Sequence, residues 1–284
     1  MSVRGARYGL PVALIVEWGV VGCLMAEVRI PGAVLFAAEA LVVGAAGFEG
    51  VVLWRLWLAD RRAGAGRREA MGAALRTVVP EQVRRLLAHE VRGLHSLGLW
   101  VLRRRHAVPE GALALPYTGP QTATMYGLVF VAVVETVMLA LLIPWPVVHA
   151  VSLVLDVYGV VLALALHAAC VTRPHVVGAD GALRIRYGVL FDLRVPAGAI
   201  AAARVERRYP EGWLRVDADG VLDLVVGGQT TVTVELVSPV PFVRPLGKRG
   251  WARTVRFHVD DPGGTVAALT RGRTGPSPSQ DPPG

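Results

Sequence analysis

Hydrophobic positions follow three successive patterns along this chain: nearly unbroken apolar runs, one amphipathic stretch, and a strict alternation near the end. Four runs stand out: Tyr8 to Val28, Gly32 to Leu58, Met125 to Ile143 and Val147 to Val171. Each has about the 20 residues that a helix needs to cross about 30 Å of hydrocarbon. Lys and Arg are absent from all four except for Arg55, near the end of the second, where its stem can reach the interface. The pattern predicts four transmembrane helices in two hairpins, turned at Arg29-Ile30-Pro31-Gly32 and at Pro144-Trp145-Pro146. Glu17 interrupts the first run and a second run follows at once, so the first reads as a retained span rather than a cleaved leader.

Between the hairpins, Pro80 to Ala107 sets Val83, Leu86, Leu87, Val91, Leu94 and Leu99 near helical spacing and ends in Trp100 and Arg103-Arg104-Arg105. Such a helix can lie in the headgroup plane, or pack on the ends of the spans or on the C-terminal part. Leu115-Pro116-Tyr117-Thr118-Gly119 matches the LPxTG sorting signal, but a second span follows where that signal needs a basic stop.

After Arg173 the period becomes two. Leu183, Ile185 and Tyr187 alternate with Arg184 and Arg186, then Phe191, Leu193 and Val195 with Asp192 and Arg194, across a turn at Gly188. Further strands are predicted from Ala203 to Arg208, Val221 to Val226, Thr230 to Leu236 and Trp251 to Val259. Pro239, Pro241 and Pro245 interrupt any regular strand between Val237 and Gly250. Asp261-Pro262 reads as the N-cap and first position of a short helix over Gly264 to Thr270. The expected fold is membrane α plus soluble β: four spans followed by a small antiparallel β barrel plugged by a C-terminal helix. The expected domains are a first hairpin (1–60), a cytosolic amphipathic linker (61–124), a second hairpin (125–171), a cytosolic β domain (172–271) and a disordered tail (272–284). Alternation and turn chemistry predict that the β domain folds without the spans.

The segment Gly181-Ala182-Leu183-Arg184-Ile185-Arg186-Tyr187-Gly188, then Val195-Pro196-Ala197-Gly198-Ala199-Ile200, and the terminal helix resemble the bacterial pleckstrin-homology-like domains attached to transmembrane helices. The resemblance covers about residues 175 to 271 and implies a PH-like β domain. The first hairpin turn has no phosphoinositide-type basic signature, so lipid-head recognition does not carry over. The arginine-rich layout resembles actinobacterial membrane proteins, which implies the plasma membrane.

Composition strengthens the membrane reading. The chain of 284 residues is 53% hydrophobic and only 18% charged, with mean hydropathy +0.47. The formal net charge is +8, and of the 30 basic residues only Lys248 is a lysine. The arginines flank apolar runs, which suits an anionic membrane face and not a nucleic acid. Eleven fall between Leu58 and Thr124 and only Arg29 in the two outer turns, which predicts both termini in the cytosol.

Candidate chemistry is sparse. No nucleotide loop, metal-ligand spacing or nucleophile elbow occurs, so an enzyme, a metal and a cofactor are not expected. Glu17, Glu39, Glu135 and Asp156 put a carboxylate in each span, with Glu49 as an extra in the second and His149 before Asp156 on nearly the same helical face. They form a functional cluster or merely pin the helices together. Arg84, Arg85, Arg103, Arg104, Arg105, Arg184 and Arg186 form a candidate patch for anionic lipid headgroups or a protein partner, or an ordinary solvated face. The expected function is a non-enzymatic, membrane-anchored interaction or regulatory module with a protein partner at the β domain. The alternative is a proton- or cation-coupled carrier or channel using the carboxylates, which four spans would require to be a homo-oligomer.

Overall fold

The computed structural model describes residues 32–274. Two units divide the chain at Arg85. The first contains α1 (Gly32–Arg62) and α2 (Arg67–Val78), an antiparallel pair joined by a turn in which Gly64 takes positive φ. Ala70, Ala74 and Val78 form the buried stripe of α2. Helix α3 (Glu81–Val101) follows and runs into the second unit.

The second unit places α4 (Gly119–Leu142) and α5 (Pro146–Thr172) side by side as a hairpin. Proline at the start of each helix costs no hydrogen bond there. Among the described residues, nine strands follow a different plan from a barrel. β1 (Leu113–Leu115), β2 (His175–Val177), β3 (Leu183–Tyr187) and β4 (Phe191–Val195) form one antiparallel sheet in that order. β5 (Ile200–Arg208), β6 (Leu214–Val216), β7 (Val221–Leu224), β8 (Thr230–Val243) and β9 (Arg249–Phe257) form a second, in the order β5-β8-β9-β7-β6. One apolar core joins both sheets: Leu183, Ile185 and Leu193 from the first meet Leu222, Val234 and Phe257 from the second. Each such buried side chain is worth about 1.5–3 kcal/mol. Helix α6 (Pro262–Thr274) packs on β5 and β8, its start capped by the Asp261 carboxylate, which accepts from the Gly264 N–H at 2.9 Å.

Three expectations are corrected. The four-span part is replaced by two candidate spans: among the described residues, Gly119–Leu142 and Val148–Thr172 are long and apolar enough to cross a membrane, and no others are. The run from Tyr8 to Val28 lies outside the described residues. The run from Gly32 to Leu58 folds as part of the 31-residue α1, and Glu39 and Glu49 interrupt it, each costly in hydrocarbon. Second, the barrel does not close. Between β4 and β5 the chain makes a 3-10 turn at Ala197–Ala199 and changes sheet, and β7 pairs parallel with β9, so both sheets keep open edges. Third, the proline-rich segment is strand after all. β8 runs through Pro239 and Pro241 by way of a bulge between Glu235 and Val240, beyond the last pairing with β5 at Leu236. There its outer edge carries no partner strand, and a missing N–H costs nothing.

The α6 end meets the β2–β3 turn through two glycines. A methyl group on Gly181, which has φ +75°, would lie 2.9 Å from the Gly272 carbonyl oxygen, and one on Gly272 would lie 2.7 Å from Gly181 Cα. Backbone is on both sides, so neither contact can relax through a side chain. Gly181→Ala is expected to destabilise the unit by about 1–3 kcal/mol. A thermal unfolding midpoint equal to that of the unsubstituted protein would refute this contact.

Candidate functional site

The junction between the helical hairpin and the first sheet collects most of the unusual chemistry. β1 leads directly into α4, and α5 leads directly into β2, while β1 and β2 pair through Leu113↔Val177, Ala114↔Val176 and Leu115↔His175. Tyr117, between β1 and α4, is fully buried. Its ring stacks on His175 at 4.4 Å, and its hydroxyl accepts the Gly188 N–H at 2.8 Å. The Pro116 carbonyl accepts from the Asp260 N–H at 2.9 Å, and the Asp260 carboxylate accepts from the Gly119 N–H at 3.1 Å. Leu115 to Gly119 is therefore a clamp at the base of α4. With Leu115 and Tyr117 buried, the LPxTG match is structural.

Arg186 is the second fastener. Sequence alternation set it on the solvated face of β3, yet it is 1% exposed. Its guanidinium donates to the carbonyls of Pro174 (2.8 Å) and His106 (3.0 Å), and its N–H donates to His175 Nδ1 (2.9 Å). The other His175 nitrogen donates to the His258 carbonyl at 3.1 Å, so the ring is a neutral tautomer with both nitrogens satisfied. Burial pushes its pKa down to about 3, and pushes that of Arg186 down to about 10, with Arg184 adding to the effect. Arg186 belongs to the frame and not to a docking patch. Arg184 is likewise committed, its Nε donating to Asp192 at 2.8 Å.

Beside this frame lies a cavity of about 560 Å³, lined by the end of α3, the Pro116–Thr118 segment and the end of α5. Its polar lining is Arg103, Arg104 and Arg105 with Thr118 and Thr172, its apolar lining includes Trp100, Tyr117 and Cys170, and no Asp or Glu lines it among the described residues. The three arginines are exposed, and none of their guanidinium groups has a hydrogen-bond or ion-pair partner among the described residues. Arg173, half-buried nearby, has its pKa lowered by burial and by Arg92, and it donates to Ser96 at 3.3 Å.

Arg103 stands out by its backbone. Its φ is +54°, and its N–H bonds the Trp100 carbonyl while the Arg104 N–H bonds the Leu99 carbonyl. That is the Schellman ending of a helix, whose left-handed position normally carries glycine. Placing a residue with a Cβ there costs about 1 kcal/mol.

Helix α3 is turned the opposite way from a soluble amphipathic helix. His89, Gly93 and Ser96 are buried: His89 meets the Pro245 carbonyl at 3.1 Å, and a methyl on Gly93 would lie 3.8 Å from Ala165 Cβ of α5. Leu86, Leu87, Val91 and Leu94 face outward, with Val91 67% exposed. Tyr158 of α5 also donates to Glu90.

The remaining candidates scatter. Glu17 and the Glu39 side chain lie outside the described residues. Glu135 is exposed on α4, whereas Asp156 and His149 line a closed seam between α4 and α5 with Thr136 and Ser152, where one Asp156 oxygen has no partner among the described residues. Arg85 pairs with Glu81 one helical turn away at 2.8 Å, and Arg84 is half-buried. Of the seven patch arginines, only Arg103, Arg104 and Arg105 meet at one cavity. That Tyr117 meets Cys170 and Arg173 at one site carried no signal in the sequence, because they come from segments more than 50 residues apart. Comparison of the chain with protein families, curated proteins and solved structures finds no match.

Proposed function

We propose that the chain is a membrane-anchored, non-enzymatic interaction or regulatory module. In this reading the α4–α5 hairpin crosses the plasma membrane, with Pro144-Trp145-Pro146 outside and the sheets at the cytosolic face. The observation that carries it is the pairing of β1 with β2, which fixes both feet of an apolar hairpin to one folded unit. The orientation is supported by Arg103, Arg104, Arg105 and Arg173 at the feet and by the lack of any basic residue in the outer turn. The resemblance of residues 181–188 and 195–200 to PH-like domains supports a binding role for the sheets. The partner face is the β8–β9 arm, where Val237, Val243, Leu246 and Trp251 are exposed. A photoreactive residue in place of Trp251 in living cells is expected to give a discrete protein adduct, while one in place of Arg194 on β4 gives none. The same pattern at both positions, or release of the chain by alkaline carbonate, would refute the reading.

A second reading, a proton- or cation-coupled carrier acting as an oligomer, rests on the unpartnered Asp156 oxygen in the α4–α5 seam. Asp156→Asn separates the two, since it abolishes coupled transport and leaves the Trp251 adduct intact.

A further inference from the structure

We infer that the cavity at the feet of the hairpin is a seat for the phosphate of an anionic phospholipid. The inference rests on the membrane reading above and adds a ligand to it. Three unpaired guanidiniums converge on a cavity without a carboxylate, and guanidinium forks match phosphate oxygens in geometry as well as charge. The cavity opens where α4 begins and α5 ends, so it lies at headgroup depth if the hairpin spans the bilayer. Trp100 in its wall is the residue type that settles at that depth. The outward Leu86, Leu87, Val91 and Leu94 stripe of α3 ends at the same place and offers acyl chains a surface to cover. Finally, Arg103 occupies a left-handed position that glycine would fill at lower cost, so the chain retains a side chain there against its backbone preference. A soluble phosphate compound would satisfy the arginines but would leave the apolar stripe bare, which is why a lipid is the favoured source. The seat is distinct from the turns of the first sheet, where Arg184 and Arg186 are already committed.

The experiment uses the full chain in detergent, titrated with phosphatidylglycerol or phosphatidylcholine and followed by native mass spectrometry and thermal unfolding. One phosphatidylglycerol per chain is expected at concentrations where phosphatidylcholine does not bind. The R103A/R104A/R105A variant is expected to lose at least about tenfold in affinity. Arg103→Gly is expected to lose about fivefold while unfolding at the same temperature or higher, a combination that a purely structural arginine cannot produce. R194A/R215A/R249A, which removes as much charge elsewhere, should bind as the unsubstituted chain does. Equal retention of the two lipids, unchanged binding by the triple variant at the cavity, or an equal loss in the distant one would overturn the seat. Full displacement by glycerol phosphate would assign the cavity to a soluble phosphate and overturn the lipid. A chain released from membranes by carbonate would instead mark failure of the membrane reading beneath it.

Discussion

A fragment of residues 174–272 is expected not to fold alone, whereas the same fragment joined to residues 112–118 by a short linker in place of the hairpin is expected to fold. Without β1 the three-residue β2 becomes an unpaired edge, because Leu113, Ala114 and Leu115 are its partners on that side. Leu115 is also part of the main core, and Tyr117 fills the space beside His175. Removing them costs about 2–5 kcal/mol for the leucine and about 3–5 kcal/mol for the tyrosine. The buried Gly188 N–H and the exposed Asp260 N–H lose their acceptors as well. A domain of this size has about 5–15 kcal/mol in total, so the loss is comparable with all of it. Circular dichroism melts test this directly: a cooperative transition in the short fragment at the temperature of the linked one would overturn the role of β1.

Local pattern carried the elements whose cause is local. The Leu183–Tyr187 and Phe191–Val195 hairpin follows from alternation around Gly188, whose φ is +50°, and the start of α6 follows from Asp261-Pro262. The two apolar helices of the hairpin were legible from length and composition. β1 and β2 were not, because three residues are too few to show a period and their pairing spans the whole hairpin. Sheet closure failed for the same reason, since nothing in Val221–Leu224 announces a parallel partner in β9. Arg186 shows the limit of alternation as a guide to a site. The period tells which face of β3 a residue takes, but not that the loops at His106 and Pro174 cover that face. In contrast, Arg103-Arg104-Arg105 was visible as a triplet, and only its neighbours Tyr117 and Cys170 needed the fold to be seen.

Acid should loosen this junction as pH falls below about 6.5. His175 is neutral in the folded chain, with its pKa pushed down to about 3 by burial, whereas in the unfolded chain it returns to 6.5. Between those values the unfolded state binds the extra proton, so stability is complete above about pH 6.5 and falls as pH drops through the window. The slope is up to about 1.4 kcal/mol per pH unit, so His175 alone withdraws about 2 kcal/mol between pH 6.5 and 5. His258, also lowered by burial but partly rescued by Asp260, acts in the same direction and more weakly. Glu206 does not confuse the measurement, because Arg208 and Thr233 hold its carboxyl near 2, and its contribution is lost only as pH falls below its unfolded value of 4.5. Thermal unfolding of the full chain in detergent from pH 7.5 to 5 reads the slope. His175→Gln keeps a donor and an acceptor near Arg186 and the His258 carbonyl but cannot titrate, so it is expected to start less stable and to lose most of the pH dependence. A slope as steep in His175→Gln as in the unsubstituted chain would place the acid sensitivity elsewhere and detach it from the clamp that Tyr117, His175 and Arg186 form at the foot of the hairpin.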